Sequence, residues 1–451
     1  MARESRCVSF FRLRVFVLGS VTPPPPPAAP PQFFYLYILS FFSHLPLVLT
    51  PFSLPPLVSI PLYPLPPIPF HFTAKKKTTA FIEAHNAEGG GRSFTLGHNE
   101  YSDMTHEEFR RRMRLGEYSS VSTSLLEKRE FNFAKYDDDD DEDEEEDGDD
   151  RVAAGASDRL RKSSVASAVE RRRLPARGGG EVAAGCDWHA RGLTGPVRQQ
   201  GQCGACWAFS AVGAIESAMA IKKYDALSPP ERLSSDGGLG LVVPLSEQDL
   251  IDCDMRFEKG CEGGLMTTTF EEEETARRGV CSEADYPYLE TEGTCSRDAC
   301  APVPGSVVAG QVDVVPRKTA ALVEALEVQP VTAAMVADDP MFQFYSSGIY
   351  QAGGCGKVTK RMGDEDCGIL YDDQDVCLPD INHGVLVVGY GTDETATTAV
   401  KGYFKVKNSW GGTWGEGGYF RIARWETDKT DPKENWGECA ILSLLSYPVM
   451  E

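Results

Sequence analysis

The sequence predicts an α+β fold of two lobes, one helical and one rich in strands, with a cleft between them. Three observations carry this. After Cys206 the apolar positions Ala208, Ala211, Val212, Ile215 and Met219 recur at helical spacing, and residues 245–252 read the same way. Toward the C-terminus, residues 331–335, 384–389, 402–407 and 418–422 are β-type runs divided by Gly, Asp and Pro. Twelve of the thirteen cysteines fall between Cys186 and Cys439, which points to a disulfide framework in an oxidising compartment. Such an arrangement puts chemistry in the cleft between the lobes.

At 451 residues and 41% hydrophobic, the chain can bury a sizeable core and hold more than one domain. Residues 1–73 form a Pro-rich head with 16 of the 30 prolines. Arg12 and Arg14 before an apolar 15–18 give only a faint secretory signal. The uncharged stretch 33–50 is broken by His44 and Pro46, which argues against a membrane span. The head resembles nothing downstream, so it reads as a targeting segment or a misassembled terminus. Residues 74–118 differ: the end of a helical pattern at 81–86, an extended piece at 94–103, and a capping box from Thr105 to Glu108. Residues 119–173 read as linker, with 13 carboxylates in the 14 positions 137–150, too charged and too polar to fold. Residues 174–451 form the globular part, and Arg171-Arg-Arg-Leu-Pro175 just ahead of them is an exposed basic step suited to cleavage between 174 and 185.

The net charge of −22 lies mostly in that globular part, where 23 Lys and Arg face 42 Asp and Glu. Phosphate binding needs clustered cations, so nucleic acid is excluded as a partner. An acidic compartment would relieve the self-repulsion. Cys203 and Cys206 lack a second pair at finger spacing, which leaves zinc without a ligand set.

Cys206 follows Gly201 and Gly204 and opens a helix, where the positive end of the macrodipole favours a thiolate. A nucleophilic thiol needs a base, a group to orient that base, and donors for an oxyanion. Of seven histidines only His189 and His383 lie in the globular part, and His383 opens the β run Asn382-His-Gly-Val-Leu-Val-Val-Gly-Tyr-Gly391. Farther on, Asn408-Ser-Trp-Gly-Gly-Thr-Trp414 supplies an Asn beside two tryptophans. Two rival readings stand beside this one. Cys203-Gly-Ala-Cys206 could be the dithiol of a thiol–disulfide oxidoreductase, although no βαβ frame surrounds it. A catalytically silent binding homologue would be expected to lack the Cys, the His or the Asn.

These blocks, in this order, resemble papain-like cysteine proteases of the cathepsin L type, and 81–114 resemble part of their inhibitory propeptide. The resemblance implies an endopeptidase made as a zymogen, with a β-barrel-like second lobe. It would work through a thiolate–imidazolium pair and a thioester acyl-enzyme, without metal or cofactor. Cys206 matches the nucleophile, Gln200 the oxyanion-hole donor, His383 the base and Asn408 the residue orienting it, with Trp410 shielding their hydrogen bond. Gly263 and Gly264 match the segment that pairs with substrate backbone. Leu265, Met266, Ala334, Ile381 and Leu444 match the pocket two residues before the scissile bond. All five are apolar, which implies a hydrophobic preference there.

By the same resemblance Cys203 pairs with Cys261, Cys253 with Cys295, and Cys355 with Cys439. Cys281–Cys300 and Cys367–Cys377 are what remains, and Cys186 has no partner. Protein and peptide substrates, the chain's own propeptide and cystatin-like inhibitors are the implied partners. A monomer in the lysosome, vacuole or extracellular space is the implied setting. The chain departs from the pattern in three places: Ala205 for a usual Ser, Glu262 for a usual Asn, and missing motif residues on the helix before Phe81. Residues 225–244 and 356–379 are longer than the family's connections, and the second, acidic one is expected at the cleft rim, where it would disfavour acidic substrates.

Overall fold

The computed structural model describes residues 70–87, 92–115, 185–228, 231–232, 240–256, 258–271, 278–351, 381–396, 398–425 and 436–451, together with 238, 355, 370–371 and 376–377. The Pro-rich head before residue 70, the acidic run 137–150, the cleavage step at 171–175 and most of the insertion 356–379 lie outside them.

The upstream segment begins with helix α1 (Phe70–Ala87), longer than the pattern at 81–86 alone predicts, because Lys75–Lys77 and the threonines after them carry the helix without an apolar stripe. It continues with strand β1 (Phe94–Leu96) and helix α2 (His106–Arg112). The capping box is formed: Thr105 Oγ1 accepts from the Glu108 N–H, and Glu108 accepts from the Thr105 N–H. One short strand, β2 (Cys186–Asp187), then leads to the long helix α3 (Cys206–Ala226).

Sequence spacing gives α3 one apolar face, yet every residue from Cys206 to Ile221 except Phe209 is buried. Small residues make this possible. Ala208, Ala211, Gly213, Ala214 and Ala218 let α3 lie close to neighbours on all sides. Those neighbours are α4 (Glu247–Cys253) and α5 (Met266–Glu271) in the helical lobe, and the strands of the second lobe. A helix hydrophobic all round belongs in the middle of a protein.

The second lobe holds β3 (Val308–Asp313), α6 (Thr319–Leu326), β4 (Val331–Met335), α7 (Pro340–Gln343) and β5 (Tyr345–Tyr350). After the insertion, which contributes the small pair β6 (Leu370–Tyr371) and β7 (Val376–Cys377), come β8 (His383–Thr392), β9 (Gly402–Lys407), β10 (Tyr419–Ala423) and β11 (Leu444–Met450). The main sheet runs β1-β5-β10-β9-β8-β4-β11-β3, with β2 also on β8. β8 is buried along nearly its whole length, as a near-continuous apolar run requires, whereas β9 alternates buried and half-buried.

The implied barrel is not closed. β3 ends one edge, and β1 of the upstream segment, antiparallel to β5, ends the other. Among described cysteines, Cys203–Cys261, Cys253–Cys295, Cys281–Cys300 and Cys355–Cys439 are bonded, and only Cys206 is free. Cys186, left without a partner by the sequence, is itself disulfide-bonded. The pairing proposed for Cys377 rests on Cys367, outside the described residues.

Candidate active site

Four elements deliver the predicted residues to one place. Cys206 is the first residue of α3, His383 the first of β8, and Asn408 follows the last residue of β9. The loop before α3 brings Gln200, whose N–H donates to the Ser409 carbonyl at 2.9 Å. β4 aligns them further: Ala334 lies opposite Gly384, and Met335 opposite His383.

His383 Nε2 lies 2.8 Å from Asn408 Oδ1, and the Ser409 N–H donates to the same oxygen at 2.8 Å. An amide oxygen only accepts, so Nε2 carries the proton and Nδ1 keeps the lone pair. Nδ1 is buried without a hydrogen-bond partner. Trp410, fully buried, stacks on the His383 ring with centroids 4.9 Å apart and excludes water from the Nε2 bond. The Cys206 sulfur is within reach of three backbone N–H groups, those of Gly384, Trp207 and Cys206 itself. Gln200 is buried, with Oε1 accepting from Ser409 Oγ at 2.6 Å and Nε2 donating to the Cys203 carbonyl at 3.1 Å. One of its two amide protons remains for another acceptor.

Burial pushes the Cys206 thiol up to about 12, despite the three N–H groups that pull it down, and pushes His383 down to about 4, despite Asn408. With the upstream segment in place, burial opposes charge on both groups. The segment is seated firmly: Tyr101 Oη donates to the Trp410 carbonyl at 3.1 Å, and the Phe109 ring meets Trp410 edge-on at 5.1 Å.

Around Cys206, Gly263 takes φ 124°, and a Cβ on Gly264 would strike the Trp207 ring at 2.7 Å. Leu265, Met266, Ala334, Ile381 and Leu444 are all buried and share one apolar cluster with Cys206. Leu444 sits opposite Ala334. Ser443 turns its hydroxyl to the Ala440 and Ala334 carbonyls, and Leu445 joins the other cluster, whereas Leu444 lies in the cluster with Cys206.

Two features escaped the sequence. Ser409 holds both Asn408 and Gln200. Beneath the site, Arg198 is ringed by Glu216, Glu247 and Glu283, with Lys407 beside Glu216. Burial pushes Glu247 up to about 8, with the Glu216 and Glu283 charges adding to the rise and Arg198 opposing it. The signal for this cluster was Glu216, the lone charge within the apolar stretch 206–221.

Comparison with known proteins agrees with this geometry. Residues 182–449 match the papain family cysteine protease model, and 71–109 the cathepsin propeptide inhibitor domain. Cysteine endopeptidase Rep1 of Oryza sativa subsp. japonica is 34% identical over 84% of this chain and 77% of its own length. Thiol protease SEN102 of Hemerocallis sp. is 37% identical over 59% of this chain, a match spanning 60% of that relative. Among solved structures, the proform of the ragweed pollen allergen Amb a 11 cysteine protease aligns with TM-score 0.56 at 26% identity, covering 85% of this chain and 89% of that one. A recombinant stem bromelain precursor aligns at 0.55 and 28%, covering 85% and 91%. With Cys203 bonded to Cys261, no dithiol is left for redox exchange. The chain belongs to the papain family of cysteine proteases and carries the family's inhibitory propeptide.

Proposed function

We propose that Cys206 is the nucleophile of this endopeptidase, His383 its base, Asn408 the residue that orients the base, and Gln200 a donor to the oxyanion. The observation that carries this reading is the shielded Nε2–Asn408 bond, which leaves Nδ1 of a buried imidazole without a partner while Gly384, the residue after His383, packs against the backbone of the free Cys206. Departure of the propeptide lets water and substrate into the cleft. The desolvation that opposes charge on Cys206 and His383 then falls, and proton transfer from sulfur to Nδ1 gives the thiolate–imidazolium pair. The thiolate attacks the peptide carbonyl, the imidazolium gives its proton to the leaving amine, and water hydrolyses the thioester.

The apolar cluster of Leu265, Met266, Ala334, Ile381 and Leu444 supports a hydrophobic residue two before the scissile bond, with Gly263 and Gly264 against the substrate backbone. We read residues 1–73 as head, 74–118 as propeptide, 119–173 as linker and 174–451 as peptidase, the mature chain starting between 174 and 185. Four disulfides among the described residues support a vacuolar, lysosomal or extracellular setting, and no described helix is long and apolar enough to cross a membrane. One chain supplies the whole site, which supports a monomer, and the open cleft of the mature enzyme suits a cystatin-like inhibitor.

An epoxide thiol reagent should label the processed enzyme at one cysteine, and Cys206→Ala should abolish both labelling and hydrolysis of a peptide substrate. Substantial hydrolysis by that variant would overturn the assignment.

A further inference from the structure

Gln200 is held at every polar atom it has. Its N–H donates to the Ser409 carbonyl at 2.9 Å, and Ser409 Oγ donates to its Oε1 at 2.6 Å. Its Nε2 donates to the Cys203 carbonyl at 3.1 Å. The remaining group, its backbone carbonyl, accepts from Tyr288 Oη at 2.6 Å. The N–H and the carbonyl belong to the two peptide planes that meet at the Gln200 Cα, so Ser409 and Tyr288 between them fix both planes. Two fixed planes set the direction of the Cα–Cβ bond, and so where the side-chain amide starts. Gly201 follows at φ 60°, and a glycine lets the second plane swing at little cost unless another group holds it.

Tyr288 is itself anchored on both sides. Ahead of it, Ser246 Oγ donates to the Tyr286 carbonyl at 2.5 Å, and Tyr286 Oη donates to Asp252 at 2.9 Å. Behind it, the Leu289 N–H donates to Gln248 Oε1 at 2.8 Å. Ser246 caps α4, and Gln248 and Asp252 lie on it, so the tyrosine is carried by the helical lobe. Its ring meets Phe209 edge-on at 4.9 Å. Phe209 stands three residues after Cys206 on α3. Ser409, by contrast, follows β9 of the strand lobe. The backbone of Gln200 is therefore gripped from both sides of the cleft. Burial raises the Tyr288 phenol far above its usual range, and the charges of Glu290, Glu247 and Cys206 add to the rise. Its hydroxyl thus keeps its proton and remains a donor when Cys206 is ionised.

We propose that Tyr288 is a positioning residue of the oxyanion hole, acting through the Gln200 carbonyl. The proposal rests on the reading of Gln200 as an oxyanion donor. Without the hydroxyl, the 200–201 peptide plane is free to turn, and the amide drifts from the place where the oxyanion forms. Such a donor works only when it already points at the developing charge, and losing one outright costs about 100- to 1,000-fold in kcat. Losing its tether costs less, and the loss falls on kcat rather than on KM.

Tyr288→Phe keeps the ring against Phe209 and removes only the hydroxyl. In the processed enzyme, kcat for a peptide reporter should fall about tenfold with KM little changed. A peptide aldehyde, whose adduct with Cys206 is a tetrahedral hemithioacetal with its oxygen in the hole, should bind about tenfold more weakly. Alkylation of Cys206 by iodoacetamide displaces iodide at a saturated carbon and forms no oxyanion, so its rate should not change. Added to Gln200→Ala, the same substitution should deepen either loss by less than about twofold, because the side chain it acts on is gone. Unchanged kcat and aldehyde affinity, a tenfold fall that persists in the Gln200→Ala background, or slowed alkylation would each overturn the proposal. Aldehyde binding unmoved by Gln200→Ala alone is a separate result: it strikes the assignment of Gln200 to the hole, and the role of Tyr288 falls with it.

Discussion

Asn408 fixes the geometry of the site because two donors meet on its Oδ1, the His383 ring and the Ser409 N–H. Asn408→Ala removes one acceptor and frees the imidazole to rotate. A hydrogen bond to a group that becomes charged contributes roughly 1.5–3 kcal/mol, so kcat/KM should fall about 10- to 100-fold while Cys206 still reacts with a thiol reagent. Leu444 carries the second prediction at this scale. Leu444→Glu puts a carboxylate in a buried apolar cluster, where an arginine two residues before the scissile bond can pair with it. The kcat/KM ratio of an Arg-Arg to a Phe-Arg reporter should rise at least tenfold, on the order of the cost of an unpaired buried charge. Equal change in both would show that Leu444 is not the floor of that pocket. Cys206, His383, Asn408 and Gln200, which the structure brings together, could each be picked out of the sequence as a candidate because each stands in a distinctive local motif. Ser409 was not, since its role depends on a contact with Gln200 across 209 residues of chain.

Among the elements, α2 is the one whose sequence and structure agree most closely, from the Thr105–Glu108 box to the burial of Phe109. Phe109 plugs against Trp410, the same ring that covers His383. Phe109→Ala should cost about 3–5 kcal/mol of propeptide docking, as a large-to-small change in a core does. The full-length proform should then hydrolyse a small reporter before any chain cleavage is visible on a gel. A proform as silent as the unsubstituted one would place the inhibitory contact elsewhere. The start of α1 was hidden because the Pro-rich head masks its first turns, and its three lysines give no apolar period. The openness of the sheet was equally hidden, since strand pairing joins distant segments and leaves no trace in any local run.

For the whole molecule, buried titratable groups set a window of pH. His383, pushed down to about 4, is neutral in the folded proform but would charge in the unfolded chain at its ordinary 6.5. The unfolded state therefore binds more protons between those values, and stability is lost as pH falls from 6.5 toward 4. Glu247, pushed up to about 8, works in the opposite sense. Its contribution is complete below its ordinary 4.5 and is lost as pH rises toward 8. Together they place the most stable pH of the proform on the mildly acid side. A melting-temperature profile of the full chain should peak there, and Glu247→Gln should flatten its alkaline flank while leaving the acid flank in place. An unchanged alkaline flank would mean that Glu247 is ionised in the fold and held by Arg198.

The strand β1 lies along β5 with only three residues, in a register that slips between Thr95 and Leu96, and opposite Gly348 at φ 96°. When the propeptide departs, the outer edge of β5 loses its cover and shows bare N–H and C=O groups to the solvent. An edge so short, interrupted by a residue in a mirror-image backbone conformation, is a poor template for any incoming chain. Maturation can thus strip a strand from the sheet without leaving the enzyme prone to stack on its own copies.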